Sequence, residues 1–122
     1  MTNMTTDSRG FIDSLNFNEY FCFGSNLQGF HAGGAARQAY ESFGAQWGIG
    51  VGIQGQSYAI PTMEIDLDNI AQYVKQFIDY AKLTPDKYYY VTPIGTGIAG
   101  FSQDEMTEVW SRYELPENVK LI

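Results

Sequence analysis

Short apolar runs and helix-like repeats alternate along this chain of 122 residues, and the alternation restricts its fold more than any other feature. The clearest element is a helix from Asp66 to Leu83, where apolar residues recur at i, i+3, i+4 and i+7 behind an aspartate that can cap it. The whole order is β-α-β-α-β-α-β. It predicts the α/β class, with a mostly parallel central sheet, helices on its faces and right-handed crossovers.

Local signals set the expected bounds of the other elements. Gly44 stands where the C-terminal cap of a helix belongs, and Ser102 to Glu105 has the pattern of a capping box that opens another helix. We expect strands at 20–23, 57–61, 88–92 and 119–122, and further helices at 35–43 and from Ser102 to Trp110 or Tyr113.

Length and composition indicate one folded domain. Apolar residues make up 44% of the chain and aromatic residues 16%, which is enough to form a core. Met1 to Gly10 is polar and lacks the apolar segment of a signal peptide. We expect a flexible N-terminal arm at 1–14 before a single domain at 15–122. No apolar run reaches the roughly 20 residues that cross a bilayer, which favours a soluble cytoplasmic protein.

Charge and the rarity of two residue types exclude several partners. The chain has 7 basic and 14 acidic residues, a formal charge of −7, which argues against duplex nucleic acid and anionic membrane surfaces. Cys22 is the only cysteine and His31 the only histidine, so neither an internal disulfide nor a multi-Cys or multi-His metal site can form. We expect no metal and no cofactor.

Glycine is concentrated at two places in the predicted fold. Of 13 glycines, nine lie between Gly24 and Gly55 and three between Gly95 and Gly100. Both clusters include a strand-to-helix connection, and the N–H groups that begin a helix suit an anion such as phosphate. Because Arg37 is the only basic residue between Gly10 and Val74, such an anion would be held mainly by backbone. The alternative is that the glycines only make tight turns.

The second cluster matches G-x-G-x-x-G between a strand and a helix, as in dinucleotide-binding folds. The fingerprint also needs an acidic residue on the next strand, and Val119 to Ile122 has none, which argues against a Rossmann dehydrogenase. Asn26 could bind ribose hydroxyls or a water, or could cap its own turn. His31 could act as a general acid or base, or could only hydrogen-bond and stack.

Other residues near the clusters have simpler interpretations. Cys22 lies within the first strand and is expected to be a buried thiol. Phe30, Trp47 and Phe101 flank the glycine loops and are candidates for stacking on an adenine.

Three segments together resemble the macrodomain superfamily. They are 23–36 (FGSNLQGFHAGGAA), 54–62 (QGQSYAIPT) and 92–100 (TPIGTGIAG), in the same order and over roughly residues 18–112. The first segment is similar to a compact bacterial and phage macrodomain-like family with a Gly-Ser-Asn-Leu-x-Gly-x-His signature.

The resemblance implies a three-layer α/β/α fold that binds ADP-ribose or a related NAD-derived nucleotide. By position, Asn26 would face the distal ribose, 33–35 and 95–98 would enclose the pyrophosphate, and Phe101 would lie near the distal ribose. The ligand-binding residues so predicted are Gly24, Ser25, Asn26, Gly29, His31, Gly33, Gly34, Ala35, Thr62, Pro93, Gly95, Thr96, Gly97, Ile98 and Phe101.

Departures from the superfamily favour binding over hydrolysis. One hydrolytic group has an aspartate where this chain has Gly34, another uses a lysine that this loop lacks, and only Asp7 and Asp13 could take the place of the adenine-recognising aspartate. We therefore expect a nucleotide-binding protein, in one version sequestering a cyclic signalling nucleotide in phage–bacterium conflict. The alternatives are a hydrolase of an ADP-ribosyl or cyclic-phosphate bond, with His31 and Asn26 positioning water, and a structural module. The oligomeric state is not predicted.

Overall fold

The computed structural model describes Thr5–Thr6 and residues 12–122. Its strands and helices, in chain order, are β1 (Thr5–Thr6), β2 (Ile12–Ser14), β3 (Glu19–Ser25), α1 (Gly34–Ser42), β4 (Gly52–Gln54), β5 (Ser57–Pro61), α2 (Leu67–Lys82), β6 (Tyr88–Val91), α3 (Gln103–Ser111) and β7 (Val119–Leu121).

A five-stranded sheet organises the domain in the order β4-β5-β3-β6-β7. The pairs β5–β3, β3–β6 and β6–β7 are parallel, and Cys22 in the central strand pairs with Tyr58 on one side and Val91 on the other. Strand β4 alone is antiparallel, as the outer partner of β5. The predicted α/β class with a mostly parallel sheet is confirmed, whereas β4 was not predicted.

Side chains of β3 alternate between two buried apolar clusters, as the period of a strand requires. Cys22 belongs to a cluster with residues of α2 and α3, and Phe21 and Phe23 belong to another with Ala39 and Phe43 at α1. Burial from both sides explains why β3 is apolar almost throughout its length.

The predicted helix ends are confirmed. The Asp66 side chain accepts a hydrogen bond from Asn69 N–H at 2.8 Å, and the Ser102–Glu105 capping box is complete. Gly44 follows the C-cap of α1 with φ of +79°, a conformation that glycine adopts without strain. The predicted apolar stripe of α2 begins with Leu67, which is partly buried. Its other members are buried, namely Ile70, Ala71, Val74, Phe77, Ile78 and Ala81.

Part of the predicted N-terminal arm is described. Thr5–Thr6 pairs antiparallel with Ile12–Ser14, and Ile12 is buried in the cluster that contains α1. Asp13 is exposed. Residues 1–4 and 7–11, including Asp7, lie outside the described residues, so the flexible arm stays a prediction. Within the described ranges, no helix is long and apolar enough to span a bilayer.

Candidate functional site

A cleft of about 330 Å³ lies at the carboxyl edge of the sheet, where β3, β5 and β6 end. This is the edge at which open α/β sheets bind their ligands, and the volume is within the range of small-molecule sites. The lining residues are Gly24, Ser25, Asn26, Phe30, Ala32, Gly33, Gly34, Ala35, Ala36, Thr62, Met63, Thr92, Pro93, Ile94, Gly95, Gly97, Ile98 and Ala99.

Most residues predicted to bind the ligand line this cleft, and four do not. Those in the lining are Gly24, Ser25, Asn26, Gly33, Gly34, Ala35, Thr62, Pro93, Gly95, Gly97 and Ile98. Gly29, His31, Thr96 and Phe101 lie outside it, and Phe101 packs instead against the cluster of α2 and α3. Each lining residue absent from the predicted set lies in the same loops or next to them. A prediction that included the whole of each loop and its neighbouring residues would therefore have contained it.

Helix α1 begins at the cleft with free backbone donors. Gly33 is its N-cap, with extended φ and ψ of −158° and 169°, and no side chain caps the helix. Since the first N–H groups of a helix have no intrahelical acceptor, those of 34–36 are available to a ligand. They carry the positive end of the helix dipole.

The loop after β6 also lines the cleft. Its internal hydrogen bonds run from Gly100 N–H to Gly97 O at 3.0 Å and from Phe101 N–H to Gly95 O at 2.9 Å. They leave the N–H groups of 96–99 without an acceptor in the described part of the chain. Gly95 has φ of +78°, a conformation that favours glycine, and a Cβ there would also press on the flexible side chain of Met106.

Three glycines of the cleft border open space. A Cβ added at Gly33, Gly34 or Gly97 would meet no atom within 4 Å. Gly34 has φ of +59°, which favours glycine, but Gly33 and Gly97 lie outside the left-handed region. Neither contact with protein atoms nor a left-handed backbone therefore explains the glycines at 33 and 97. Glycine is also a favoured N-cap residue at 33, whereas close approach of a ligand to the backbone accounts for both positions.

Among the residues that the structure describes, none with a charged side chain lines the cleft. Arg37, the nearest basic residue in sequence, points into an exposed ion pair with Glu41, with Nε 3.1 Å from Oε2. Because the chain carries a net charge of −7, long-range attraction does not favour an anion here. An anion in the cleft would depend on the oriented N–H groups of its two walls.

Asn26 uses both ends of its amide to fix the first loop. Its Oδ1 accepts from Phe30 N–H at 2.8 Å, and its Nδ2 donates to Phe30 O at 3.0 Å. Of the alternatives for Asn26, turn capping is therefore present in the structure. Ser25 likewise points away from the cleft, since its buried hydroxyl donates to Gly50 O at 2.5 Å.

His31 lies beneath the loop rather than in the cleft. It is 1% exposed, and its Nε2 is 2.8 Å from Gln46 O, which requires the tautomer with a proton on Nε2. The rings of Phe23 and Trp47 meet its ring edge-on. The hydrogen-bonding and stacking role is thus present, and the catalytic role stays a prediction.

Cys22 is a buried thiol in the core, as the sequence predicts. Burial raises the pKa of the Cys22 thiol well above its ordinary value, in keeping with an inert core cysteine. Among the residues that the structure describes, no three His, Cys, Asp or Glu side chains are grouped so that they could hold a metal ion.

Comparison of the chain with protein-family models, with curated proteins and with solved structures gives no match in any of the three.

Proposed function

We propose that this chain is a small macrodomain-like protein that binds ADP-ribose or another NAD-derived nucleotide in the cleft, with backbone N–H groups around the pyrophosphate. The observation that carries the proposal is the pair of glycines at 33 and 97. They line the same cleft from two different loops, and in neither does contact with protein atoms or a positive φ require glycine. Free N–H groups beside both support an anionic ligand that comes close to the backbone.

The architecture is compatible with the three-layer α/β/α arrangement implied by the resemblance. One buried cluster of β3 includes α2 and α3, and the other includes α1. This distribution supports a layer of helices on each side of the sheet. It leaves the carboxyl edge of the strands free for a ligand, as the proposal requires.

Retention of the ligand is favoured over hydrolysis because, in the described part of the chain, no acidic, basic or imidazole side chain lines the cleft for proton transfer. His31 is buried among aromatic rings, and the Asn26 amide holds the loop. One version of this function is the sequestration of a cyclic signalling nucleotide in phage–bacterium conflict, where tight binding without turnover would suffice.

Calorimetric titration with ADP-ribose, ADP, AMP, NAD and a cyclic ADP-ribose tests the proposal, with chromatography of each mixture after incubation. We expect stoichiometric binding of the pyrophosphate ligands, weaker binding of AMP, and unchanged ligand after incubation. If no pyrophosphate ligand binds, the proposal is wrong. If products accumulate, the hydrolase replaces it, and His31→Ala then tests whether the imidazole takes part.

A further inference from the structure

Two aromatic rings form an exposed stack at the mouth of the cleft. Phe30 is 53% exposed and Trp47 is 52% exposed, and their centroids are 5.7 Å apart with an angle of 18° between the planes. Phe30 lines the cleft and Trp47 does not. Trp47 therefore covers one side of the Phe30 ring, and about half of the residue stays open to solvent beside the cleft.

The surrounding structure holds this stack in place from behind. Tyr40 meets Trp47 edge-on at 5.6 Å, and the buried His31 meets it edge-on at 6.4 Å. The backbone of Phe30 is held at both its N–H and its C=O by the Asn26 amide. These bonds restrain the backbone of Phe30, and the stack on Trp47 restrains its ring.

The neighbouring glycine shows what brings the two rings together. Gly29 has φ of +74°, and a Cβ on it would lie 2.3 Å from Ile49 N and 2.4 Å from Gly48 C. Gly48 N–H donates to Gly29 O at 2.9 Å. Glycine at this position thus lets the two loops touch, which sets Phe30 against Trp47 beside the cleft.

We propose that Phe30, backed by Trp47, is the stacking surface for a planar heteroaromatic ring of the ligand whose phosphates the cleft holds. The inference rests on the proposed function and adds a binding surface for the part of the ligand that the glycine loops do not contact. A flat apolar ring with an open side suits a purine or a pyridine ring, since stacking tolerates different ring systems. Within the described ranges, Thr5–Thr6 and 12–122, no charged residue lines the cleft to bind a second phosphate instead.

The test compares ligands with and without a ring on Phe30→Leu, Phe30→Tyr and Phe17→Leu, using calorimetry. Phe30→Leu removes the ring and keeps apolar bulk, Phe30→Tyr keeps the ring, and Phe17→Leu removes a 90% exposed aromatic ring that does not line the cleft. Loss of base stacking typically weakens binding about 5- to 150-fold. We expect a loss in that range for Phe30→Leu with ring ligands, little change with inorganic pyrophosphate, and little change for the other two variants.

ADP, ADP-ribose and NAD distinguish the source of the ring. A loss with all three assigns the purine to Phe30, and a loss confined to NAD assigns the pyridine ring. In NMR spectra of the ligand, the stacked ring protons should move upfield with wild type and Phe30→Tyr, and less with Phe30→Leu.

Two results would overturn the inference while the proposed function survives. One is equal affinity of wild type and Phe30→Leu for every ligand. The other is an equal loss with pyrophosphate and with ring ligands, which would mean that Phe30 only shapes the loop. If wild type binds neither pyrophosphate nor any nucleotide, the proposed function fails and the stacking surface fails with it.

Discussion

Replacing Gly97 by alanine should weaken ligand binding without weakening the fold. The added Cβ would meet no protein atom within 4 Å, and the residue lies outside the left-handed region. Alanine at such a position usually raises stability by about 0.4–1 kcal/mol, because it restricts the unfolded chain. Most substitutions in a closely packed loop lower the stability, so the sign of the change in the free energy of unfolding is informative.

The same methyl group would stand between the backbone and the bound phosphate. Excess volume in a close contact costs about 1–3 kcal/mol, which corresponds to a loss of roughly 5- to 150-fold in affinity. Urea denaturation gives the stability, and calorimetric titration with ADP-ribose gives the affinity. Gly33→Ala should weaken binding in the same way. Its stability should change little, because the restricted unfolded chain offsets the poorer N-cap.

Gly52→Ala is the matched control for this experiment. Gly52 also borders open space but has φ of +93° and lies outside the cleft lining. Alanine in a left-handed conformation costs about 1–2 kcal/mol, so this variant should lose stability and keep its affinity. Wild-type affinity of both Gly97→Ala and Gly33→Ala would refute the inference that these glycines make room for a ligand.

Three further outcomes follow from the charges and contacts. Raising the ionic strength from about 0.05 to about 0.5 M should leave the affinity for ADP-ribose unchanged or raise it, because salt screens the repulsion from a chain of net charge −7. A steep fall of affinity in a salt titration would instead indicate a Lys or Arg contact. Burial raises the pKa of Tyr58 to about 12, so its neutral phenol favours the folded state below pH ~10, and this contribution is lost as the pH rises towards 12. Tyr58→Phe should therefore flatten the curve of stability against alkaline pH, and identical curves for the variant and wild type would contradict this. Asn118 Nδ2 donates to Ala81 O, Thr84 O and Lys87 O at 2.9–3.1 Å. Asn118→Ala should therefore lower the free energy of unfolding by about 1–3 kcal/mol in urea denaturation, and a change under about 0.5 kcal/mol would show these bonds to be dispensable.

The parts of the fold that the sequence predicts are those governed by nearby residues. Helix α2 has its apolar stripe and its Asp66 cap within one segment, and the Ser102–Glu105 box needs only four residues. The parallel order of the main strands follows from their alternation with helices. The carboxyl edge as the place of the cleft follows from the same topology, because the glycine loops leave the strands there.

Contacts between distant segments were not predictable in the same way. Strand β4 has three residues, Gly52–Gln54, and forms only because the chain turns back at Gly55 to pair with β5. A Cβ at Gly55 would lie 2.7 Å from Gly44 Cα, and one at Gly50 would lie 2.2 Å from Asn26 O. Several glycines of the first cluster therefore serve backbone packing, and the count of nine alone overstates the ligand site.

The orientation of His31 also depends on distant residues. Within its own loop it stands between Phe30 and Ala32, both of which line the cleft, while it turns inward to Gln46 O and the ring of Trp47. Those partners lie more than a dozen residues away, beyond α1. Sequence alone could name the histidine as a candidate but could not determine which way its ring points.

The most direct test of the central claim is an amide NMR titration of the labelled protein with ADP-ribose. If backbone N–H groups hold the pyrophosphate, the largest shifts should fall on the amides of 34–36 and 96–99, and inorganic pyrophosphate should move the same signals. Large shifts elsewhere, with these two groups unchanged under saturating ligand, would contradict an anion site built from the backbone of the two loops.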